Sequence, residues 1–306
     1  VKVAFAKVRY GAILSMALFF LVFALLCIYG RGFFTAENLV RNLLMPASMS
    51  SVIACGMTLV MRGGGIDLSM GATAGLGALT GAALGTNVVS SIAAAMFSGM
   101  ILGSLNGLFI SIIGINPFIV TLTTSFVAKG LQFLVSLQKA QSTALLWSLP
   151  MDRLGSSPVF QIGTSLLVII FLYVFIEKTK YGRYVKAIGE NSEVAIYSGI
   201  PVRFYSWMTY VIGSVLAGLS GVMLTSYEGL VRVGSGDNFL LDAFLLPLLG
   251  KAVFGRLSIA GTVFAALFLA MIVNGLYILG LPPSWVNAMK GVLLFSMVVA
   301  SQVGRR

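Results

Sequence analysis

Apolar runs of about twenty residues, the length an α-helix needs to cross the hydrocarbon core of a bilayer, follow one another along almost the whole chain. Ten can be laid down, over 11–29, 42–61, 68–86, 88–113, 117–137, 162–177, 203–225, 241–255, 258–279 and 284–302. A water-soluble fold could not cover so much apolar surface. Of the 306 residues, 58% are hydrophobic and 9% are charged, against roughly 25% charged in a soluble domain. The sequence therefore predicts an all-α polytopic membrane protein, a single transmembrane domain over 1–306 with about ten helices. Gly and Pro interrupt several runs, so broken or kinked helices are expected; the eighth run is short and contains Pro247. The first run exceeds a signal-peptide core of roughly 7–15 residues and is read as a retained span. The 35 glycines suit close helix packing in lipid.

Only one long internal segment would be at home in water, Glu177 to Arg203. It carries Lys178, Lys180, Arg183, Lys186 and Arg203 against Glu177, Glu190 and Glu193. Lys and Arg gather in cytoplasmic segments and set orientation. With the N-terminus inside, the inside segments hold thirteen: Lys2, Lys7, Arg9, Arg62, the five just named, Lys251, Arg256, Arg305 and Arg306. The outside segments hold five: Arg31, Arg41, Lys139, Arg153 and Arg232. That bias predicts a multi-pass membrane protein with both termini, and the 177–203 loop, in the cytoplasm. It also explains the net charge of +11 without nucleic acid.

Catalytic side chains are scarce. The chain has no His, and Cys27 and Cys55 both sit in apolar runs, which speaks against a metal or disulfide framework. No Gly-Lys-Ser/Thr triplet occurs, so no nucleotide-binding loop is recognisable. Clear intramembrane carboxylates of the kind a proton relay needs look few. The chain reads as a transport subunit rather than an enzyme, with no cofactor of its own; energy for active transport would enter through a partner.

Two motifs break the apolar pattern. Gly63-Gly64-Gly65-Ile66-Asp67-Leu68-Ser69 joins the second and third runs. Three glycines permit a tight turn, and Asp67 or Ser69 can cap the helix that follows. The bland reading is a capped structural break; the functional one is a break in a pore that touches a polar solute. Asn116-Pro117 repeats the logic ahead of Thr121, Thr123, Thr124 and Ser125. These hydroxyls can bond to their own helix or across helices, or line a path for a polyhydroxylated solute. The candidate pathway residues are thus Asp67, Ser69, Asn116, Thr121 and Thr124. Lys129 and Lys290 lie in spans and are read as snorkelling towards the interface. Phe118, Phe126, Phe133, Phe239 and Phe244 are read as packing groups.

Longer-range organisation is also visible. Asn106-Gly107-Leu108-Phe109-Ile110 and Asn274-Gly275-Leu276-Tyr277-Ile278 fall five spans apart, which predicts an inverted repeat relating spans 2–5 to spans 7–10. The outside segments 138–161 and 226–240 are long enough for structure, with a short interfacial helix expected in the first.

GGGIDLSMG, then INPFIVTLTT, then GRYVKAIGENSEVAIYSGIPV resemble, in order and spacing, the permease subunits of ribose-type sugar ABC importers. That family includes permeases for ribose, other monosaccharides and autoinducer-2, and the resemblance runs from about Leu44 to Ala300. It implies an importer of a sugar or sugar-like solute, built from two permease copies or paralogues, two ABC ATPase subunits that carry ATP and Mg, and a periplasmic or lipid-anchored binding protein. It also implies that the 177–203 loop holds a short ATPase-coupling helix. Gly189, Glu190 and Asn191 fall on the family's Gly-x-Asn stretch, and Ala195 and Gly199 on later positions of the motif. Asn191 or Ser192 can cap a helix through Tyr197, ended by Gly199 and Pro201. Val194 departs from the family, as does the run Leu249 to Ser258, where Lys251, Phe254 and Arg256 replace small residues and put close helix packing in doubt. The rival class is an ion-coupled secondary transporter, which has no need of a capped helix in that loop.

Overall fold

The computed structural model describes residues 32–140, 144–146 and 149–303. The expected first span at 11–29, with Lys2, Lys7, Arg9, Cys27, Arg31, Trp147, Arg305 and Arg306, lies outside the described residues.

Every apolar run predicted from residue 42 onward is occupied by a helix. In chain order these are α1 (Asn38–Arg62), α2 (Met70–Leu84), α3 (Val88–Ile113), α4 (Pro117–Ala140), a short α5 (Leu149–Gly155), α6 (Pro158–Lys178), the loop helices α7 (Lys180–Glu190) and α8 (Ser192–Tyr197), then α9 (Val202–Glu228), α10 (Asp237–Phe254), α11 (Ile259–Ile278) and α12 (Pro283–Val303). Among the described residues six, namely α1, α3, α4, α6, α9 and α11, are long and apolar enough to cross a membrane. Boundaries follow local chemistry. Pro158 and Pro117 open α6 and α4, where the missing N–H is no loss. Asn87 and Ser90 form a reciprocal cap at the start of α3. Pro247 is tolerated inside α10, which begins at Asp237, earlier than its apolar run.

The helices form two populations. α1 and α9 are buried along most of their length. They are threaded through the molecule, α9 packing on α1, α2 and α3. Small residues make this possible. A methyl on Gly77 would sit 2.7 Å from the Gly218 α-carbon, and one on Gly56 would sit 3.1 Å from the Gly213 carbonyl oxygen. Backbones that close are available only to glycine, and dispersion between them drives association where lipid removes the hydrophobic term. Polar groups add to it: the Ser220 hydroxyl donates to the Met49 carbonyl at 2.8 Å, and Thr58 and Thr262 share a hydrogen bond at 2.7 Å.

α3, α4 and α6 form the other population. They turn Phe97, Phe126, Leu167 and Phe171 outward, each more than half exposed. Such a ring of bare apolar side chains suits contact with lipid and not with water. Of the phenylalanines expected to pack, Phe239 is in the core, while Phe118, Phe126 and Phe133 face out from α4. The buried residues of the same helix are Val120, Thr121, Ala128, Gln132 and Ser136, so these three phenylalanines belong to its exposed side.

The two long segments far from the loop are fastened together. β1 (Ala144–Leu146) pairs antiparallel with β2 (Leu230–Arg232), Leu145 opposite Val231. α5 supplies the short helix expected between residues 138 and 161.

Candidate functional site

The 177–203 loop is a folded joint. The Thr179 side chain caps α7, accepting from Gly182 N–H at 3.5 Å. α7 is amphipathic and buries Gly182, Val185 and Ile188, which leaves its basic side chains in solvent. Asn191 ends α7 and starts α8: its Oδ1 accepts from the N–H groups of Glu193 at 3.0 Å and Val194 at 3.1 Å. α8 therefore occupies Ser192–Tyr197, as its capping residue predicts. Ala195 turns inward, whereas Val194, Ile196 and Tyr197 stand exposed. Gly199, with φ +77°, reverses the chain into α9. A six-residue helix with three bare apolar groups, anchored at both ends, is a projecting surface that a partner can grip.

The joint is bound to α1. A Cβ on Gly189 would fall on the Arg62 carbonyl oxygen and 3.0 Å from the Gly64 N–H nitrogen. Arg62, the last residue of α1, gives both guanidinium nitrogens to the Glu177 carboxylate at the end of α6. Arg256 lies 3.9 Å from the same carboxylate. A cleft of about 720 Å³ opens between these parts, bounded by Arg62, Gly64, Lys186, Gly189, Lys251 and Arg256. The departures Lys251 and Arg256 thus line a wet cleft. They do not loosen the neighbouring packing, because Gly250 lies directly on the Gly261–Thr262 backbone.

Directly behind the joint is the Gly63–Ser69 connection. Asp67 is fully buried and its Oδ1 accepts from Ser69 N–H at 2.8 Å and Ser69 Oγ at 2.6 Å. Asn106 Nδ2 donates to Ser69 Oγ at 2.9 Å, and Ser214 Oγ reaches Asp67 Oδ2 at 3.5 Å. Burial in this connection raises the carboxyl above its ordinary pKa, while the bonds from Ser69, Asn106 and Ser214 pull it down. Asp67 and Ser69 are thus joined in a buried knot of four residues with Asn106 and Ser214. Asn106 and Ser214 are members the sequence did not reveal, apart from Asn106 standing in the repeated motif. Asn116 caps α4 from an exposed position, with Oδ1 accepting from Phe118 N–H at 2.9 Å. Thr121 is buried and donates to the Pro117 carbonyl at 2.8 Å, and Thr124 is half-buried. Neither threonine has a hydrogen bond to the Asp67 knot.

Beside the middle of α1 lies a cavity of about 280 Å³ between α1, α9, α10, α11 and α12. Lys290 Nζ donates to Asp242 Oδ1 at 2.6 Å, and Ser50 Oγ donates to Asp242 Oδ2 at 2.8 Å. The side chains of Lys290 and Asp242 are only 12% and 7% exposed, so Lys290 does not snorkel; it crosses to a buried carboxylate. Lys129 likewise pairs with Asp237 of α10, at 3.0 Å, but half in solvent. Asp242 was the overlooked residue. A carboxylate within an apolar run calls for an intramembrane cation, and Lys290 was available in another span. Among the described residues no cluster of three His, Cys, Asp or Glu could hold a metal ion.

Comparison with known proteins gives a consistent picture. A sequence model of the family described as branched-chain amino acid transport system / permease component matches residues 39–298. The autoinducer 2 import system permease protein LsrD of Photorhabdus luminescens is 28% identical over 96% of this chain and 92% of that protein. LsrD of Photorhabdus laumondii is 30% identical over 82% of this chain and 79% of its own length. A probable ABC transporter permease protein, y4mJ of Sinorhizobium fredii, is 28% identical over 86% of this chain and 81% of its own length. No solved structure matches the chain.

Proposed function

From the premise that this chain belongs to the family described as branched-chain amino acid transport system / permease component, we propose that it is the membrane-spanning subunit of an ATP-driven importer for a sugar or sugar-like solute. Its curated relatives include permeases named for autoinducer 2 import, which points to the sugar-like side of the family. The observation that carries the reading is the joint at 177–203. Its α8 projects Val194, Ile196 and Tyr197 into solvent while Gly189 is seated on the end of α1. That is how a push from outside the membrane would enter the helix bundle.

The joint is the coupling element, and Gly189, Glu190, Asn191, Ala195 and Gly199 form or position it. It faces the cytoplasm and meets one of two ATPase subunits, which hold ATP and Mg; this chain holds no cofactor. A second permease copy or paralogue completes the pathway. A binding protein docks on the opposite side, where β1, β2 and α5 are fastened together. The whole chain is one domain of ten spans with both termini in the cytoplasm. Two inverted halves relate spans 2–5 to spans 7–10; the burial of both repeat asparagines, Asn106 and Asn274, supports this. Asp67 and Ser69 act on the pathway by holding the break at the end of α1, and Asn116, Thr121 and Thr124 by shaping the first turns of α4.

The rival, an ion-coupled transporter, draws on the buried Asp242–Lys290 pair. It gives no role to a capped amphipathic element that leaves the bilayer. Purification of the chain from its host, followed by uptake assays in vesicles, separates the two. An ABC ATPase is expected to co-purify, and uptake to require ATP. Uptake that persists without ATP or any ATPase would overturn the importer reading.

A further inference from the structure

We propose that the cavity around Asp242 and Lys290 is where the permease contacts its solute, and that it is built for a neutral polyhydroxylated molecule. The assignment rests on the importer reading above. At about 280 Å³ the cavity stands at the small end of ligand pockets, which run roughly 300–1,000 Å³. That is room for one small ring and not for a large conjugate. Its wall brings together Ser50, Glu228, Arg232, Asn238, Asp242 and Lys290. The two carboxylates balance the two cations, so the site offers no net charge to attract an ion. It is nonetheless rich in both donors and acceptors.

The ion pair itself needs a reason beyond stability. A buried pair gains little over well-packed apolar side chains of the same volume, and in a membrane-spanning bundle its polar atoms are costly to keep. Here they border a cavity. An ammonium has three protons, and Asp242 takes one of them. Ser50 holds the second Asp242 oxygen through a single hydroxyl, a bond that a solute hydroxyl can replace in kind. Two neighbouring hydroxyls of a polyol can therefore donate to Asp242 and accept from Lys290 at once. A phosphate or carboxylate gains no net attraction there, because Asp242 and Glu228 offset Lys290 and Arg232. Position adds to the chemistry. Ser50 is twelve residues before Arg62 on α1, about 18 Å along the helix at 1.5 Å per residue. One buried helix thus touches the solute cavity at its middle and the coupling joint at its end.

The test uses the full importer, reconstituted in vesicles with its ATPase and binding protein. Uptake of radiolabelled ribose, xylose and galactose is measured together with ATP hydrolysis stimulated by the binding protein. The double variant Asp242→Leu/Lys290→Met removes both charges and leaves neither unpaired. It is expected to keep stimulated hydrolysis while sugar moved per ATP falls at least about tenfold, the scale of one lost hydrogen bond to a charged group. Ser50→Leu keeps the ion pair and fills the cavity, and is expected to do the same. Ribose 5-phosphate should not compete with uptake in the wild type. A wild-type ratio of sugar to ATP in Ser50→Leu, or in the double variant, overturns the assignment, and so does effective competition by the phosphate. A wild-type importer that moves none of the sugars on ATP overturns the importer reading, and this assignment with it.

Discussion

Gly189 of the loop helix α7 rests on the carbonyl oxygen of Arg62, the last residue of α1, with no room between them for a methyl group. Gly64 approaches from the same side, where a Cβ would lie 3.3 Å from the Gly189 α-carbon. Two glycine motifs more than a hundred residues apart, Gly63-Gly64-Gly65 and Gly189-Glu190-Asn191, are thus halves of one contact. A helix end pressed on a helix end moves with it, which is what the proposed coupling role of the loop requires.

Gly189→Ala should loosen that contact without unfolding the bundle. Overpacking of a tight contact costs typically about 1–3 kcal/mol. A lower thermal midpoint of the detergent-purified chain is expected, together with weakened coupling of ATP hydrolysis to uptake. Gly163→Ala on α6 is the control: nothing lies within 4 Å of the added methyl, so stability and coupling should both stay at the wild-type level. Equal coupling in Gly189→Ala and wild type would sink the coupling role.

Glu190→Lys addresses the exposed side of the same residue pair. Among the described residues Glu190 is engaged only by Lys186, at 3.6 Å and largely in solvent, and exposed pairs of this kind contribute about 0–1 kcal/mol. The thermal midpoint should therefore stay close to wild type, and membrane insertion should be normal. Uptake and its coupling to ATP hydrolysis should be abolished, because the substitution reverses charge on the face proposed to meet the ATPase. Loss of insertion would instead mark Glu190 as structural.

Arg62→Ala should be the most damaging change at the joint. It strands Glu177, whose side chain is 14% exposed, with only Arg256 at 3.9 Å to answer it. Removal of one partner from a buried pair costs about 3–5 kcal/mol, and replacement of both by apolar residues is far milder. Some exposure and the nearby Arg256 place the expected loss at the low end, about 3 kcal/mol. Arg62→Met/Glu177→Leu should recover much of the thermal midpoint. A single variant as stable as wild type would show that the pair does not hold α1 to α6.

Much of this was legible in the sequence, and for identifiable reasons. Helix positions follow from apolar length, and Pro158 or Asn87 fixes a start through its own backbone chemistry. The loop helix at Ser192–Tyr197 follows from Asn191, whose capping oxygen acts over two and three residues. Contacts across the fold were not legible. Asp242 in the apolar run 241–255 calls for a cation but does not single out Lys290, 48 residues on, because that pairing is set by how α10 and α12 cross. The same holds for Arg62 and Glu177, and for Gly189 against Arg62. Lys290 was read as snorkelling because a lone cation in a span has that option; the carboxylate removes it.

Asp67→Ala tests whether the glycine-rich break is held by its carboxylate. Oδ1 takes the N–H and the hydroxyl of Ser69, and Asn106 completes the knot by donating to that hydroxyl. Without the carboxylate, the Ser69 N–H at the start of α2 has no acceptor in a place water does not reach. An unsatisfied buried donor costs about 1–3 kcal/mol, and Ser214 loses its contact as well. Asp67→Asn keeps an oxygen where Oδ1 stands and so preserves both Ser69 bonds. The expected order of thermal midpoints is therefore wild type, then Asn, then Ala, with the Ala variant lower by about 2 kcal/mol of stability. The break also backs Gly64 against Gly189, so uptake should fall in the same order as the α1 end loses its shape. An Ala variant with the wild-type midpoint and wild-type uptake would remove Asp67 from any role in the break. An Asn variant as poor as Ala would mean that the charge, and not the hydrogen-bond geometry, is what the knot requires.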